Sequence, residues 1–144
     1  MQSRLWQQED LPLIAQAEQR CFSDPWSIEA LKAAFENPFT HCFLIEDGGQ
    51  VCGYACLFVL FEEAEVQNIA VDIPYRGRGF GNALLSFLHD YAKEKGAEIS
   101  FLEVRVSNRA AIALYQKHGY ETYGERSRYY QDGESAYVMR KRLE

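Results

Sequence analysis

The sequence predicts a single domain of mixed α/β class, because segments with helical and strand patterns alternate along a chain of 144 residues. A chain of this length falls within the usual range for one domain. Hydrophobic residues make up 47% of it and charged residues 25%, which is the balance of a globular protein rather than a disordered one. No internal repeat, low-complexity tract or linker interrupts it, so we expect residues 1–144 to form one domain.

Two helices are predicted near the start of the chain. Residues 11–22 carry apolar side chains at the three- and four-residue spacing of a helix face. Residues 27–35 repeat that pattern behind Ser27, a residue type that favours the N-cap position. We therefore expect the fold to open with two helices.

A hairpin and a further strand are predicted next. The apolar runs at 41–47 and 51–61 are separated by a turn that contains Gly48 and Gly49, and adjacent glycines are typical of tight hairpin turns. Residues 65–72 form the next apolar run. The pattern predicts an antiparallel hairpin followed by a third strand.

The remainder of the chain alternates helix and strand. The clearest helical pattern begins at Phe80 and ends before Gly96, a residue type common just beyond a helix C-terminus. Its apolar side chains share one helical face, which contains Phe80, Ala83, Leu84, Phe87, Leu88 and Tyr91. The predicted elements that follow are a strand at 99–106, a short helix at 108–119, and strands at 120–130 and 135–143 that meet across a turn.

The charge balance narrows the functional classes. Asp and Glu outnumber Lys and Arg by 21 to 15, which gives a formal charge of −6. Sequence-independent binding to nucleic acid depends on dense Lys and Arg, so we expect no direct nucleic-acid partner, and an acidic surface suits a basic partner better. Residues 1–10, MQSRLWQQED, do not show the apolar stretch of a secretory signal, and no run approaches the roughly 18 apolar residues of a membrane span. We expect a cytoplasmic protein that does not bind membranes.

The cysteines give no indication of a metal site. Cys21, Cys42, Cys52 and Cys56 lack the paired spacing of zinc ligands. We therefore expect reduced, mostly buried thiols and no bound metal.

The stretch PYRGRGFGNA at residues 74–83 is the clearest candidate for a binding site, because it joins a predicted strand to a predicted helix. Backbone N–H groups and the positive end of the helix dipole meet at such a junction, which favours an anion such as phosphate. Three glycines allow close approach of the backbone, and two arginines add positive charge: Arg76, Gly77, Arg78, Gly79 and Gly81.

Two familiar phosphate motifs do not fit this stretch. A dinucleotide fingerprint needs Gly or Ala three places after its second glycine, but Asn82 follows Gly79 and Leu84 follows Gly81 at that spacing. A P-loop needs Lys followed by Ser or Thr, which this stretch lacks. A single pyrophosphate fits better, and a glycine-rich turn without a ligand is the alternative.

The segment from Arg76 to Gly81 resembles the acyl-CoA pyrophosphate loop of the GNAT acetyltransferases, whose pattern is Gln or Arg, two residues, Gly, one residue, then Gly or Ala. Residues 68–85, 102–120 and 128–139 are similar to RimI-type members, which acetylate the N-terminal alanine of a small-subunit ribosomal protein. The resemblance covers most of the chain. It implies the GNAT fold, in which a mostly antiparallel twisted sheet of about seven strands is flanked by about four helices.

The resemblance also implies acetyl-CoA as the acetyl donor and assigns its binding residues. Backbone groups of Ile69, Ala70 and Val71 would hold the pantetheine arm, although a buried strand without a ligand is the alternative there. The expected pyrophosphate residues are Gly77, Arg78, Gly79, Phe80, Gly81 and Asn82. Asn108 and Tyr115 would also contact the cofactor, and the alternative for Asn108 is a helix cap.

Acetylation of an amine requires a base and an acid. A peptide α-amino group has a pKa of about 7.7 to 8.0 and must lose a proton to attack. The resemblance implies Glu103 as the base; the alternative is an ion pair with Arg105 on the same strand face. It implies Tyr115 as the acid that protonates the leaving thiolate, and the alternative is a core aromatic. No cysteine has an obvious activating histidine, so we expect direct transfer rather than an acetyl-cysteine route.

The acceptor is predicted from a loop and an acidic patch. Tyr129 and Tyr130 match the loop that closes over the peptide in N-terminal acetyltransferases, and Glu62 belongs to an acidic run that suits a basic peptide. The resemblance therefore implies a basic N-terminal peptide of a small-subunit ribosomal protein as partner, and we expect the enzyme to be a monomer or weak dimer. A solvated acidic surface is the alternative for that run, and a small-molecule acetyltransferase or a non-catalytic acyl-CoA-binding module is the alternative for the whole chain.

Overall fold

The computed structural model describes residues 1–144, which form seven strands and four helices. The strands are β1 (Gln2–Leu5), β2 (Thr40–Asp47), β3 (Gln50–Leu60), β4 (Glu63–Val71), β5 (Ile99–Arg105), β6 (Glu121–Arg126) and β7 (Ala136–Arg142). The helices are α1 (Leu11–Cys21), α2 (Ile28–Glu36), α3 (Phe80–Glu94) and α4 (Arg109–Lys117). None of the helices combines the length and apolar character needed to cross a membrane.

All seven strands belong to one sheet, in the order β1-β2-β3-β4-β5-β7-β6. The pair β4–β5 is parallel, and every other neighbouring pair is antiparallel. The parallel pair is connected through α3, because parallel neighbours need a crossover of this kind. The predicted mixed α/β class, with a mostly antiparallel sheet of seven strands and four helices, is confirmed.

Helices cover both faces of the sheet. On one face, α1 and α2 contribute Ile14 and Leu31 to a cluster of 10 buried apolar residues. On the other face, α3 and α4 contribute Leu84 and Tyr115 to a cluster of 20. Successive residues at the centre of β2 fall into different clusters, so this part of the strand is buried on both sides and residues 42–45 are all apolar.

Most predicted elements are present with similar bounds, but the two ends of the sheet differ from the prediction. The strand predicted over 120–130 ends at Arg126, because Arg128 adopts a left-handed conformation (φ 51°) that interrupts the extended backbone. The edge strand β1 was not predicted, since its four residues QSRL show no strand pattern. It is held by pairing with β2, and the adjoining Trp6 donates a hydrogen bond from Nε1 to the carbonyl of Phe43 (2.7 Å).

A gap between β4 and β5 positions the candidate site. The two strands pair only as far as Val66 and Leu102, although both continue for several residues. A register shift against β3 leaves Gln67 as an extra residue in β4, directly after the last pair. Beyond this bulge the two strands diverge, and the backbone edges that face each other lack a neighbouring strand.

Candidate active site

The junction between β4 and α3 has the geometry of an anion site. Gly77 and Gly79 adopt left-handed backbone conformations (φ 78° and 87°), which glycine reaches without steric cost. Gly79 is the N-cap residue of α3 and has no side chain with which to cap the helix. The first-turn amides of α3 therefore lack a side-chain partner and lie at the positive end of the helix dipole. This arrangement suits a phosphate group.

Glycine is needed at position 81, the third glycine of the run, for a different structural reason. A Cβ atom at Gly77 or Gly79 would meet no protein atom within 4 Å, so these positions require their backbone conformation rather than space. A Cβ atom at Gly81 would lie 3.3 Å from Cδ2 of Leu114 on α4. Gly81 therefore allows α3 and α4 to pack closely, a role that the sequence pattern did not indicate.

A cleft of about 610 Å³ extends from this junction along the diverging part of β4 to α4. It is lined by most of the residues predicted to bind the cofactor, namely Ile69, Ala70, Val71, Gly77, Gly79, Phe80, Gly81, Asn82, Asn108 and Tyr115. Arg78 does not line it, and its guanidinium lies 6.0 Å from the ring centre of Tyr75. Arg76 lines the cleft instead, and its Nε donates a hydrogen bond to the carbonyl of Val71 (2.9 Å).

Several of these lining residues also have structural roles. Asn108 caps α4 by accepting a hydrogen bond from the amide of Ala111 (3.2 Å), so the helix-cap alternative is confirmed for its Oδ1 atom. Oδ1 of Asn82 lies 2.9 Å from Nε2 of His118. The ring of Phe80 is buried in the core, which leaves the backbone of this residue as its contribution to the cleft.

A smaller cavity of about 210 Å³ adjoins the cleft at the gap between β4 and β5. Both predicted catalytic residues, Glu103 and Tyr115, line this cavity, which we name the reaction cavity. It shares part of its wall with the cleft, including Ile69, Arg105 and Tyr115. A group bound at the end of the cleft would therefore meet both candidate catalytic side chains.

Glu103 lies on β5, and its side chain is 23% exposed. Its Oε2 atom is shielded from solvent and has no hydrogen-bond partner. The nearest opposite charge is Arg126 on β6, whose Nε lies 3.5 Å away. The alternative that Glu103 pairs with Arg105 is wrong, because the Arg105 guanidinium contacts three other carboxylates. A buried oxygen without a partner is costly, and it marks Glu103 as a candidate proton acceptor.

Tyr115 lies on α4 and is 7% exposed. Its ring packs edge-on against Tyr120, with the ring centres 5.9 Å apart, and belongs to the larger core cluster. The side chain nevertheless lines both the cleft and the reaction cavity, so it is a core aromatic with access to the site. Burial raises the pKa of its hydroxyl above the ordinary value, which keeps the group protonated at neutral pH.

Comparison with known proteins agrees with this geometry. Residues 11–120 match the Acetyltransferase (GNAT) family, which is more than half of the chain. The chain belongs to the GNAT acetyltransferase family. It is 38% identical over 133 residues to the [ribosomal protein bS18]-alanine N-acetyltransferase of Escherichia coli (strain K12), covering 90% of this chain and 89% of that protein.

Further relatives agree. This GNAT acetyltransferase is 38% identical over 139 residues to the N-alpha-acetyltransferase RimI of Mycobacterium tuberculosis (strain ATCC 25618 / H37Rv), covering 92% of this chain and 86% of that protein. The crystal structure of the ribosomal-protein-S18-alanine N-acetyltransferase from Escherichia coli superposes with a TM-score of 0.92 at 34% identity. That match covers 99% of this chain and 93% of the other.

As a GNAT acetyltransferase, the enzyme uses acetyl-CoA as its acetyl donor. The residues present fit this cosubstrate. The uncapped N-terminus of α3 behind Gly77 and Gly79 suits a pyrophosphate, and the open backbone edge of β4 suits an extended arm that carries amide groups. The cleft volume of about 610 Å³ lies within the range of small-molecule and cofactor sites.

The GNAT acetyltransferase has a further cavity of about 370 Å³ next to Glu103, which we name the acceptor cavity. It is lined by Trp26, Glu65, Val66, Gln67, Glu103, Tyr129 and Tyr130. The rings of Tyr129 and Tyr130, both predicted to bind substrate, meet edge to face with centres 5.1 Å apart. Burial raises the pKa of Tyr130 to about 12, so its hydroxyl remains neutral.

Glu62, the third predicted substrate residue, lines a neighbouring groove of about 330 Å³ rather than the acceptor cavity. The groove combines the carboxylates of Glu62, Glu63 and Glu65 with several aromatic rings. Glu65 and Glu103 line both the groove and the acceptor cavity. Burial, followed by the negative charge of Glu103, raises the pKa of Glu65. The predicted acidic run therefore borders the acceptor cavity.

The segment between α1 and α2 forms a wall of the site that the sequence reasoning did not assign. Glu18 on α1 is 1% exposed, and its Oε1 accepts hydrogen bonds from the Tyr54 hydroxyl (2.6 Å) and from Nδ2 of Asn68 (2.9 Å). Its Oε2 accepts a hydrogen bond from the backbone amide of Trp26 (3.0 Å), which fixes this residue in the acceptor cavity. The available signal was a glutamate on the apolar face of α1, seven residues after Leu11.

The cysteines are all free, and three of them are buried. Cys42 and Cys56 face each other across β2 and β3 with their Sγ atoms 3.6 Å apart, while Cys21 is half-buried and lines the cleft. No group of three or more His, Cys, Asp or Glu side chains is arranged to hold a metal ion.

Proposed function

We propose that this GNAT acetyltransferase acetylates the α-amino group of an N-terminal alanine and that its acceptor is the small-subunit ribosomal protein bS18. The observation that carries the proposal is the reaction cavity shared by Glu103 and Tyr115, which adjoins the cofactor cleft on one side and the acceptor cavity on the other. A relative of nearly the same length is named for this alanine acetylation. We expect the reaction to take place in the cytoplasm.

The cleft residues would hold acetyl-CoA along the gap in the sheet. The first-turn amides of α3 and the backbone at Gly77 and Gly79 would bind the pyrophosphate. Backbone groups of Ile69, Ala70 and Val71, along the open edge of β4, would bind the pantetheine arm. When bound, acetyl-CoA supplies a thioester from which an amine can accept the acetyl group.

Glu103 would remove the proton from the acceptor amine. At neutral pH an α-amino group with a pKa of about 7.7 to 8.0 is mostly protonated and is not nucleophilic in that form. Glu103 lines the reaction cavity and its Oε2 atom has no hydrogen-bond partner, so its carboxylate can take up this proton directly or through a water molecule.

Tyr115 would supply a proton to the sulfur leaving group. Tyr115 lines the same reaction cavity, and its raised pKa keeps the hydroxyl protonated at neutral pH, so a proton is available when the thiolate leaves. The proposed base and the proposed acid therefore line one small cavity from different elements, β5 and α4. Each residue can carry out its own proton transfer.

The acceptor side favours a short basic peptide. The acceptor cavity is bounded by the rings of Trp26, Tyr129 and Tyr130, and the adjoining groove is acidic. Positively charged side chains that follow the N-terminal alanine would be attracted to Glu62 and Glu63 in that groove. A peptide of this charge also suits a protein whose formal charge is −6.

The test is release of coenzyme A thiol from acetyl-CoA in the presence of a basic peptide that begins with alanine. We expect turnover with this peptide and none with the same peptide carrying a blocked N-terminus, and we expect mass spectrometry to locate the acetyl group on the α-amine. Equal or faster turnover with a polyamine or an amino sugar would overturn the proposal in favour of a small-molecule acceptor.

A further inference from the structure

Arg105, the last residue of β5, joins two loops that enclose the acceptor cavity. Its Nη2 lies 2.9 Å from a carboxylate oxygen of Asp24, in the loop between α1 and α2. Its Nη1 lies 2.8 Å from Asp132 and 2.9 Å from Glu134, both in the loop between β6 and β7. One guanidinium therefore bridges two segments that are distant in the chain.

The same guanidinium also stacks on an acceptor residue. Its central carbon lies 4.0 Å from the ring centre of Tyr130, and the Arg105 side chain is only 19% exposed. Burial disfavours the charge on Arg105, but the hydrogen bonds to Glu134, Asp24 and Asp132 outweigh this and raise its pKa. The stacking and the bridging place Tyr130 at a fixed distance from the end of β5.

Both bridged loops carry walls of the acceptor cavity. The first contains Trp26, whose backbone amide is held by Glu18, and the second contains Tyr129 and Tyr130. Glu134 further accepts a hydrogen bond from the amide of Ser107 (3.0 Å), which ties the second loop to the segment before α4. The relative position of the loops sets the width of the cavity between these aromatic rings.

The local charges make Arg105 necessary for this arrangement. Three carboxylates from two loops converge on one cation, so the cluster carries a net charge of −2. Without the guanidinium, Asp24 on one loop would repel Asp132 and Glu134 on the other, and the two loops would separate. A lysine would retain the charge but not the planar fork that engages carboxylates on two sides at once.

We propose that Arg105 is a positioning residue that clamps the two acceptor loops together and so sets the fit of the peptide N-terminus, without taking part in proton transfer. This inference rests on the proposed peptide-acetylating function. It assigns to Arg105 a role in the affinity for the acceptor that is separate from the affinity for acetyl-CoA, although Arg105 itself lines the cofactor cleft and the reaction cavity rather than the acceptor cavity.

The experiment measures steady-state kinetics of Arg105→Gln and Arg105→Lys with an alanine-starting basic peptide and, separately, with varied acetyl-CoA. For both variants we expect the KM for the peptide to rise by about 10- to 100-fold, as for loss of hydrogen bonds between charged groups, while the KM for acetyl-CoA stays within about twofold. Arg140→Lys is the matched control, since Arg140 lies on β7, stacks on Tyr123 and makes no carboxylate contact, and its kinetics should equal those of the wild type.

A rescue variant separates clamping from general stability. In the Arg105→Gln background, adding Asp24→Asn removes part of the repulsion between the loops, so the KM for the peptide should fall back toward the wild-type value. The proposal is overturned if Arg105→Lys keeps the wild-type KM for the peptide, if the KM for acetyl-CoA rises equally, or if Asp24→Asn brings no rescue. Failure of the wild-type enzyme to acetylate the peptide would instead refute the proposed function, so the two failures are distinguishable.

Discussion

Nε of Arg126 lies 3.5 Å from Oε2 of Glu103, yet this oxygen has no hydrogen-bond partner. The Arg126 side chain is 58% exposed and also lies near the ring of Tyr129, 5.7 Å from its centre. An ion pair with so exposed a partner is weak, because solvent screens it. Glu103 is therefore held near a cation that does not occupy its buried oxygen, and that oxygen remains free to accept a proton.

Replacement of Glu103 by glutamine tests the role of this oxygen. The amide keeps the shape of the side chain but cannot accept the proton of an ammonium group, so we expect kcat to fall by about two to four orders of magnitude. The affinity for acetyl-CoA, measured by calorimetry, should stay nearly unchanged. Glu94→Gln, on the exposed surface of α3, is the control and should retain full turnover. Unchanged turnover in Glu103→Gln would remove this residue from the mechanism.

Replacement of Tyr115 by phenylalanine tests the proton donor. The ring would still fill its place in the core, so the free energy of unfolding should change little, whereas kcat should fall by about two to four orders of magnitude. Tyr137→Phe, a half-buried tyrosine on β7, is the matched control for loss of a hydroxyl. If both variants lost activity equally, or if neither did, Tyr115 would not be the acid.

Replacement of Gly79 by valine tests the pyrophosphate site. Gly79 and Gly96 both have positive φ (87° and 93°), and a Cβ at either would meet no protein atom within 4 Å. Gly79→Val and Gly96→Val should therefore lose similar stability through backbone strain. Gly79→Val alone should abolish binding of acetyl-CoA, because its side chain would lie where phosphate meets the backbone. Normal affinity by calorimetry in Gly79→Val would contradict the assignment.

Local patterns predicted much of this molecule from its sequence. The glycine-rich junction, the one-sided apolar face of α3 and the helix cap at Ser27 depend on neighbouring residues, so the sequence displays them directly. The family resemblance added Glu103 and Tyr115, and the structure brings both to one reaction cavity. Their roles as base and acid remain predictions.

Contacts between distant segments were not predictable in this way. The cation nearest to Glu103 is Arg126 rather than Arg105. Arg105 instead contacts carboxylates from two loops, and these loops reach the end of β5 only in the tertiary structure. The short β1 is stabilised by pairing rather than by its own residues. The role of Gly81 depends on Leu114, which lies on a different helix.

The burial of His89 predicts how the stability of the folded protein depends on pH. His89 lies on α3 and is 7% exposed, with Nε2 2.8 Å from the hydroxyl of Tyr120, which in turn lies 2.7 Å from Oγ of Ser100. Burial, aided by the positive charge of Lys141, lowers the pKa of His89 to about 3. In the unfolded chain a histidine titrates near its ordinary pKa of about 6.5.

The free energy of unfolding decreases on acidification because the unfolded chain binds the proton more readily than the folded protein does. Below about pH 6.5, His89 is protonated in the unfolded chain, whereas in the folded protein it stays neutral down to a pH of about 3. The free energy of unfolding therefore decreases as the pH falls from about 6.5 to about 3. At pH 5 the loss of unfolding free energy attributable to His89 is about 2 kcal/mol.

Urea denaturation of the wild type and of His89→Gln at pH 8 and pH 5 measures this loss. The variant should be less stable at pH 8, because glutamine fits the Tyr120 and Ser100 network poorly, but it should lose about 2 kcal/mol less than the wild type on acidification. An equal loss in both proteins would mean that His89 is protonated in the folded state and that its burial does not control the acid stability of the enzyme.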